Sequence, residues 1–201
     1  MARYGLDLSE NNEGTMRYDS SWEALKNSKY TDFIILRRGF GVNPEEDTCY
    51  LNFYQKAKDI GIHDISSYWF SYALDPNEAK IEAENYLKMT EKDGLLLNAV
   101  IMDFEDNNKY KKYGINITSK FVNGQIEAFI KPLKEAGLNT AVYSSEWILT
   151  DLLDWDLVKE LGFGIWNASY NPIDNVKGWI WQFTESEYIN GIGPFDANVM
   201  Y

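Results

Sequence analysis

The residues with the greatest capacity for chemistry are Asp103 and Glu105, in the run Val100-Ile101-Met102-Asp103-Phe104-Glu105. Side chains alternate across a strand, so the two carboxylates project from one side while Phe104 points the other way, into a helix layer. Their Cα atoms are expected about 6.6 Å apart, twice the strand rise. Because they follow three apolar residues, they fall at the strand's C-terminal end, where barrel enzymes place their chemistry. A lone Asp-x-Glu is also what a solvated strand end looks like, but two further acids on strand-like runs shift the balance. Asp7 lies in Gly5-Leu6-Asp7-Leu8-Ser9 and Asp196 in Gly193-Pro194-Phe195-Asp196-Ala197-Asn198. These are the first and last strands, which are neighbours in a closed barrel. Four acids at one mouth oppose one another's ionisation, which keeps at least one carboxyl protonated and able to act as a general acid. Glycoside hydrolysis uses such a set: one acid protonates the leaving oxygen while a carboxylate stabilises the oxocarbenium-like centre, directs water or attacks it. The same acids could cage a hard cation in a metal-dependent hydrolase. A barrel that binds carbohydrate without cutting it is a third reading.

Seven tryptophans and fourteen tyrosines supply the flat faces on which sugars stack, although core packing claims many of them. Tyr68, Trp69, Tyr143, Trp166 and Trp181 sit at or near strand ends and, with Arg37, are the candidates for substrate contact. Alternation puts Trp179 and Trp181 on one side of their strand, so they are expected to share a fate. Arg37 closes the run Phe33-Ile34-Ile35-Leu36 and is placed to pair with a buried acid, a role more structural than catalytic.

The elements that must position these residues follow from the pattern. Short apolar runs at Tyr4 to Leu8, Phe33 to Leu36, Ile65 to Phe70, Ala99 to Met102, Thr140 to Tyr143, Phe163 to Trp166, Trp179 to Phe183 and Phe195 to Val199 alternate with longer amphipathic stretches, the pattern of β/α units. Asp19 or Ser20 is expected to cap a first helix, and a second carries Leu51, Tyr54, Ala57 and Ile60 up to Gly61. Asp75-Pro76 opens a third that stops near Gly94. Thr118 caps a fourth that ends at Gly137, with Pro132 expected to kink or split it. A fifth helical region, Trp147 to Leu161, breaks at Asp154-Trp155-Asp156. From Asn167 to Lys177 and from Thr184 to Gly193 the residues are turn formers. The predicted fold is therefore α/β, an irregular (β/α) barrel of about eight strands and five helices whose late strands are joined by loops. Residues 1–201 are read as a single catalytic domain.

Composition removes several function classes. A net charge of −12 with dispersed lysines repels phosphate backbones and argues against nucleic acid. Cys49 is the only cysteine and His63 the only histidine. No intrachain disulfide can form, and nothing marks His63 as a partner for a catalytic thiol. No apolar run approaches the length that spans a bilayer, and the N-terminal residues lack the pattern of a secretory signal. A soluble monomer without a cofactor is expected.

Taken together, these motifs resemble the glycoside hydrolase family 25 muramidases, the lysozymes of many phage endolysins and bacterial autolysins. Gly5-Leu6-Asp7-Leu8-Ser9 is similar to that family's opening motif, Phe33-Ile34-Ile35-Leu36-Arg37 to its second strand, and Tyr68-Trp69-Phe70-Ser71-Tyr72-Ala73 to its third. Met102-Asp103-Phe104-Glu105 resembles the active strand and Ala141-Val142-Tyr143 the one after it. Trp181-Gln182-Phe183, Gly191-Ile192 and Asp196-Ala197-Asn198 resemble the closing signature. Trp69 departs from the pattern, standing where many members carry histidine. The resemblance implies a peptidoglycan substrate cut at the β-1,4 bond between N-acetylmuramic acid and N-acetylglucosamine. Glu105 would be the general acid, Asp103 would stabilise developing charge or orient the substrate acetamido group, and Asp7 and Asp196 would tune and position them. It further implies action on the bacterial cell wall, consistent with release from the cytoplasm at phage lysis. A chitinase-type barrel would need aspartates where this chain has Asn98 and Ile101.

Overall fold

All eight apolar runs become strands, and the strands close on one another. The computed structural model, which describes residues 2–201, runs β1 (Arg3–Leu8), α1 (Glu13–Met16), α2 (Asp19–Lys26), β2 (Phe33–Phe40), β3 (Glu45–Glu46), α3 (Tyr50–Asp59), β4 (Ile65–Phe70), α4 (Pro76–Asp93), β5 (Val100–Asp103), α5 (Asn108–Lys112), α6 (Ser119–Glu135), β6 (Thr140–Ser145), α7 (Glu146–Asp151), α8 (Trp155–Leu161), β7 (Gly164–Ala168), β8 (Ile180–Ile189) and β9 (Ile192–Met200). From β1 through β2 and β4 to β8 each barrel strand lies parallel to the one before it. Strand β9 closes the ring, antiparallel to both β8 and β1. The two-residue β3 only extends the end of β2. Reversal of β9 matters for the site: its early residues, Asp196 among them, lie beside the C-terminal end of β1, with Asp196 opposite Asp7.

Alternation divides the strand side chains between two cores. Phe33, Ile35, Ile101, Ala141, Trp166 and Ile180 fill the barrel. Outside it, Trp69, Met102, Phe104 and Val142 pack beneath α4 and α6, and Leu6, Leu8, Ile34 and Leu36 pack beneath α2 and α3. Asp75 caps α4 by accepting from the Asn77 and Glu78 amides, Thr118 caps α6 through the Phe121 amide, and Gly94 ends α4 at φ 61°.

Several expectations are revised. Eight α-helices occur, not five, among the described residues, besides a single 3₁₀ turn at Glu10–Asn12. The short α1 and α5 carry too few residues for a helical period to register in the sequence, and Leu152 to Asp154 separates α7 from α8. Asp19 lies within the first turn of α2, with Tyr18 at the cap position. Leu51 is exposed, and Phe53 takes the inward place on α3. Helix α6 continues past Pro132 to Glu135. Proline's fixed φ suits a helix, and its missing amide removes one hydrogen bond in the last turns. The stretch from Thr184 to Gly193 is a hairpin, in which Asn190 and Gly191 at φ 51° and 87° make the turn between β8 and β9. An Asn-Gly pair suits such a two-residue tip.

Candidate active site

The acids meet at the C-terminal mouth of the barrel. Asp7, Asp103, Glu105 and Asp196 all line one cleft of about 560 Å³. Phe104 anchors the pair on β5: it is fully buried, its ring stacks on Tyr110, and its amide donates to the Tyr143 carbonyl at 3.0 Å. The Ser144 hydroxyl donates to the Phe104 carbonyl at 2.7 Å. With Phe104 fixed in the helix layer, alternation turns Asp103 and Glu105 into the cleft. Asp103 is buried at the bottom and Glu105 is partly open near the rim.

A hydrogen-bond network fixes the opposite side. The Trp166 indole donates to Asn198 Oδ1 at 2.8 Å. An indole N–H can only donate, so the amide of Asn198 turns its Nδ2 to Asp7, 2.7 Å away. Gln182 is set in the same way. Its Oε1 accepts the hydroxyls of Tyr143 and Tyr170 at 3.0 and 3.1 Å, which leaves Nε2 to donate to Asp7 at 2.9 Å. Tyr143, with its phenol held protonated by burial and by the charge of Asp103, suits the donor role.

These environments raise all four acids, with burial the first cause in each. Burial, and then the Asp196 charge, push Asp7 well above the usual carboxylate range, against the pull of the Asn198 and Gln182 donors. Asp103 is raised by burial, Glu105 and Asp7, opposed by Arg37. Its Oδ1 is buried without a hydrogen-bond partner. Glu105 is raised by burial and by Asp196. Burial and Glu185 push Asp196 up to about 6. A carboxyl that keeps its proton near neutrality can donate it to a leaving oxygen, and an ionised neighbour can stabilise positive charge. Among the described residues, no three His, Cys, Asp or Glu side chains are grouped as a metal ion would require.

The sequence matches the family model described as glycosyl hydrolases family 25 over residues 6–192. The chain belongs to that family. No curated protein matches the sequence. Among solved structures, this family 25 chain is similar to the modular autolysin LytC of Streptococcus pneumoniae in complex with a synthetic peptidoglycan ligand, with a TM-score of 0.84 at 24% identity. That alignment covers 100% of this chain and 47% of the autolysin chain, so this chain spans about half the autolysin's length. A family 25 glycosyl hydrolase of Bacillus anthracis aligns with a TM-score of 0.74 at 16% identity, covering 99% of this chain and 88% of that one. A family 25 lysozyme of Aspergillus fumigatus aligns at 0.71 and 17%, covering 100% and 94%. At these identities the likeness is one of fold, an eight-stranded barrel.

Of the aromatic side chains singled out in this family 25 sequence, Tyr68, Tyr143 and Trp166 form the floor of the cleft. The Trp166 ring contacts Tyr143 at 4.5 Å and Tyr68 at 6.1 Å between centroids. Trp69 and Trp181 are not brought there. Trp69 is fully buried on the outside of β4 against Tyr86, because alternation that turns Tyr68 inward turns its neighbour outward. Its departure from the family pattern therefore does not face the cleft. Trp181 is likewise outside, between the inward Ile180 and Gln182, and its indole donates to the Ser169 carbonyl at 2.6 Å. Trp179, ahead of β8, packs against the barrel core, so these two tryptophans do not share a fate. Arg37 lines the cleft, but its guanidinium is occupied by the buried Asp47 at 2.8 Å and Glu10 at 2.9 Å. The pairing ties the Ser9–Asn12 turn to β2.

Sequence reasoning missed the residues on which this geometry depends. Gln182 and Asn198 stand out in the sequence only as parts of a closing signature, and their roles appear once β8, β9 and β1 are in register. Phe70, Trp147 and Tyr170 line the upper walls. Asn171 and Asn175 donate to Glu146 at 3.3 and 3.0 Å, which holds the loop bearing Tyr170 against the helix bearing Trp147. Of the three aromatics, only Tyr170 lies in a turn-rich segment, where an aromatic residue is a signal; Phe70 ends β4 and Trp147 lies in α7.

Proposed function

We propose that the protein is a peptidoglycan muramidase that cuts the β-1,4 bond between N-acetylmuramic acid and N-acetylglucosamine, with residues 1–201 acting as a single catalytic domain. The observation that carries the reading is the position of Glu105: near the rim of the cleft, above buried Asp103, with its ionisation opposed by burial and by Asp196. A protonated Glu105 gives its proton to the glycosidic oxygen as the carbon–oxygen bond breaks, and the electron pair leaves with that oxygen. Asp103, when ionised, stabilises the resulting oxocarbenium-like centre or orients the acetamido group; water finally adds its oxygen to that carbon and gives a proton back to the Glu105 carboxylate. Asp7, fixed by two amide donors, and Asp196 tune the charge around the pair. Tyr68, Tyr143 and Trp166 form the floor under the sugar, and Trp147 and Tyr170 stack against its flanks.

A cell-wall substrate is supported by family membership together with the peptidoglycan ligand of the pneumococcal autolysin. No described helix is long and apolar enough to cross a membrane. We take the enzyme to act as a monomer on glycan strands, without a cofactor. Clearing of purified cell walls tests the reading. Wild-type protein is expected to lower turbidity and release new muramic acid reducing ends, while Glu105→Gln loses about two to four orders of magnitude in rate, the usual yield of a positioned general acid. Equal clearing by the variant refutes the role of Glu105, and glucosamine ends refute the bond assignment.

A further inference from the structure

A second cavity, of about 330 Å³, adjoins the cleft between the end of β2 and the segment after β4. Phe40, Val42, Asn43, Tyr72 and Lys109 line it, and none of them belongs to the catalytic cleft. Two contacts join the cavities. The Phe70 ring, in the cleft, lies 4.9 Å from the Tyr72 ring. The Arg37 guanidinium, also in the cleft, lies 5.1 Å from the centre of the Phe40 ring. Phe40 and Tyr72 are themselves edge to face at 6.3 Å. A partly exposed aromatic ridge thus leaves the catalytic mouth and runs into the second cavity.

The ridge is held in place before any ligand arrives. The Gly41 amide donates to the Phe70 carbonyl at 3.1 Å, and Asn85 Nδ2 donates to the Val42 carbonyl at 3.0 Å. Below it, buried Glu82 accepts the Ser71 hydroxyl at 2.6 Å and the Tyr72 amide at 2.9 Å. Lys109 Nζ donates to the Tyr72 carbonyl at 2.9 Å and lies over the ring. Preformed walls of this kind lower the ordering cost of binding. Aromatic faces beside hydroxyl-bonding groups such as Asn43 and Lys109 suit a sugar ring.

We propose that this second cavity is a distal glycan subsite, which takes a sugar ring of the same strand stacked on Tyr72, beyond the bond held at Asp103 and Glu105. The assignment rests on the muramidase reading. A strand cut in its interior continues past the reacting bond, and the ridge gives that continuation a wall contiguous with the cleft. Stem peptides branch from the strand and have no comparable reason to follow it.

The test uses peptide-free oligomers of alternating N-acetylglucosamine and N-acetylmuramic acid: a short one that fills only the catalytic cleft, and one longer by two sugars at each end. For wild-type protein KM is expected to fall as the oligomer lengthens. In Tyr72→Ala the long-oligomer KM rises about tenfold, the scale of one lost stacking platform, with little change in kcat. Tyr72→Trp keeps the length dependence. Calorimetric binding of both oligomers to Glu105→Gln, with and without Tyr72→Ala, reads the subsite independently of turnover. If no oligomer is cleaved but the long one still binds more tightly through Tyr72, the muramidase reading fails and the subsite stands. Equal losses on both oligomers overturn the subsite, as does a Tyr72 effect confined to peptide-bearing glycan. If Tyr72→Ala does not fold, a Tyr72→Phe or Tyr72→Trp variant that lacks the length dependence overturns it as well.

Discussion

The two sides of the cleft hold their acids differently. On the seam side, where β8, β9 and β1 close the barrel, Asp7 receives two amide hydrogen bonds, and each donor is locked by a further indole or phenol. On the β5 side, Asp103 keeps a buried oxygen without a partner, and Glu105 is shifted by burial and by charge alone. Fixed donors define one geometry for a carboxylate, whereas a carboxyl lacking them is free to exchange its proton. Donors thus oppose the effect of burial at Asp7, whereas no such donor opposes it at Glu105.

The network is the first place to break this comparison. Asn198→Ala removes a donor from Asp7 and the acceptor of Trp166, both buried. About 1–3 kcal/mol of stability is expected to be lost per orphaned group, read as a lower denaturation midpoint in urea with an unchanged slope. An unaltered midpoint would mean that the seam side is held by packing instead.

A smaller effect concerns pH. Asp196 is pushed up to about 6 from 3.8, so between those values the folded state holds more protons than the unfolded state. Its contribution is thus fully present below about pH 4 and is lost as the pH rises through about 6. The loss is on the order of 1 kcal/mol, since the group is partly solvated. Asp196→Asn should flatten that part of the stability curve, and a slope identical to wild type would count against the shared field.

Much of the barrel was legible because strands carry their own signal. All eight apolar runs recur as barrel strands, and the alternation that separated Phe104 from Asp103 and Glu105 held in three dimensions. Applied to Tyr68-Trp69 and to Trp181-Gln182, the same rule would have sent Trp69 and Trp181 outward and Gln182 inward. Other features depend on contacts distant in sequence. Nothing near Asn198 indicates that an indole 32 residues away will orient its amide. Asp47 and Glu10 become partners of Arg37 only when the turn after β1 folds over the end of β2. Helices as short as α1 and α5 leave no period to read. Asn190-Gly191 reads as a turn, yet polar residues on the exposed arms of its hairpin conceal the strands.

The central claim is that the place of Glu105 in the cleft opposes its ionisation. Carbon-detected titration of side-chain carboxyls by NMR, on protein labelled at glutamate, reads this directly. Glu105 is expected to titrate above the ordinary 4.5 and to move back toward it in Asp196→Asn, as its second cause of elevation is removed. A Glu105 carboxyl that titrates at or below the ordinary value in the wild-type protein would contradict the account.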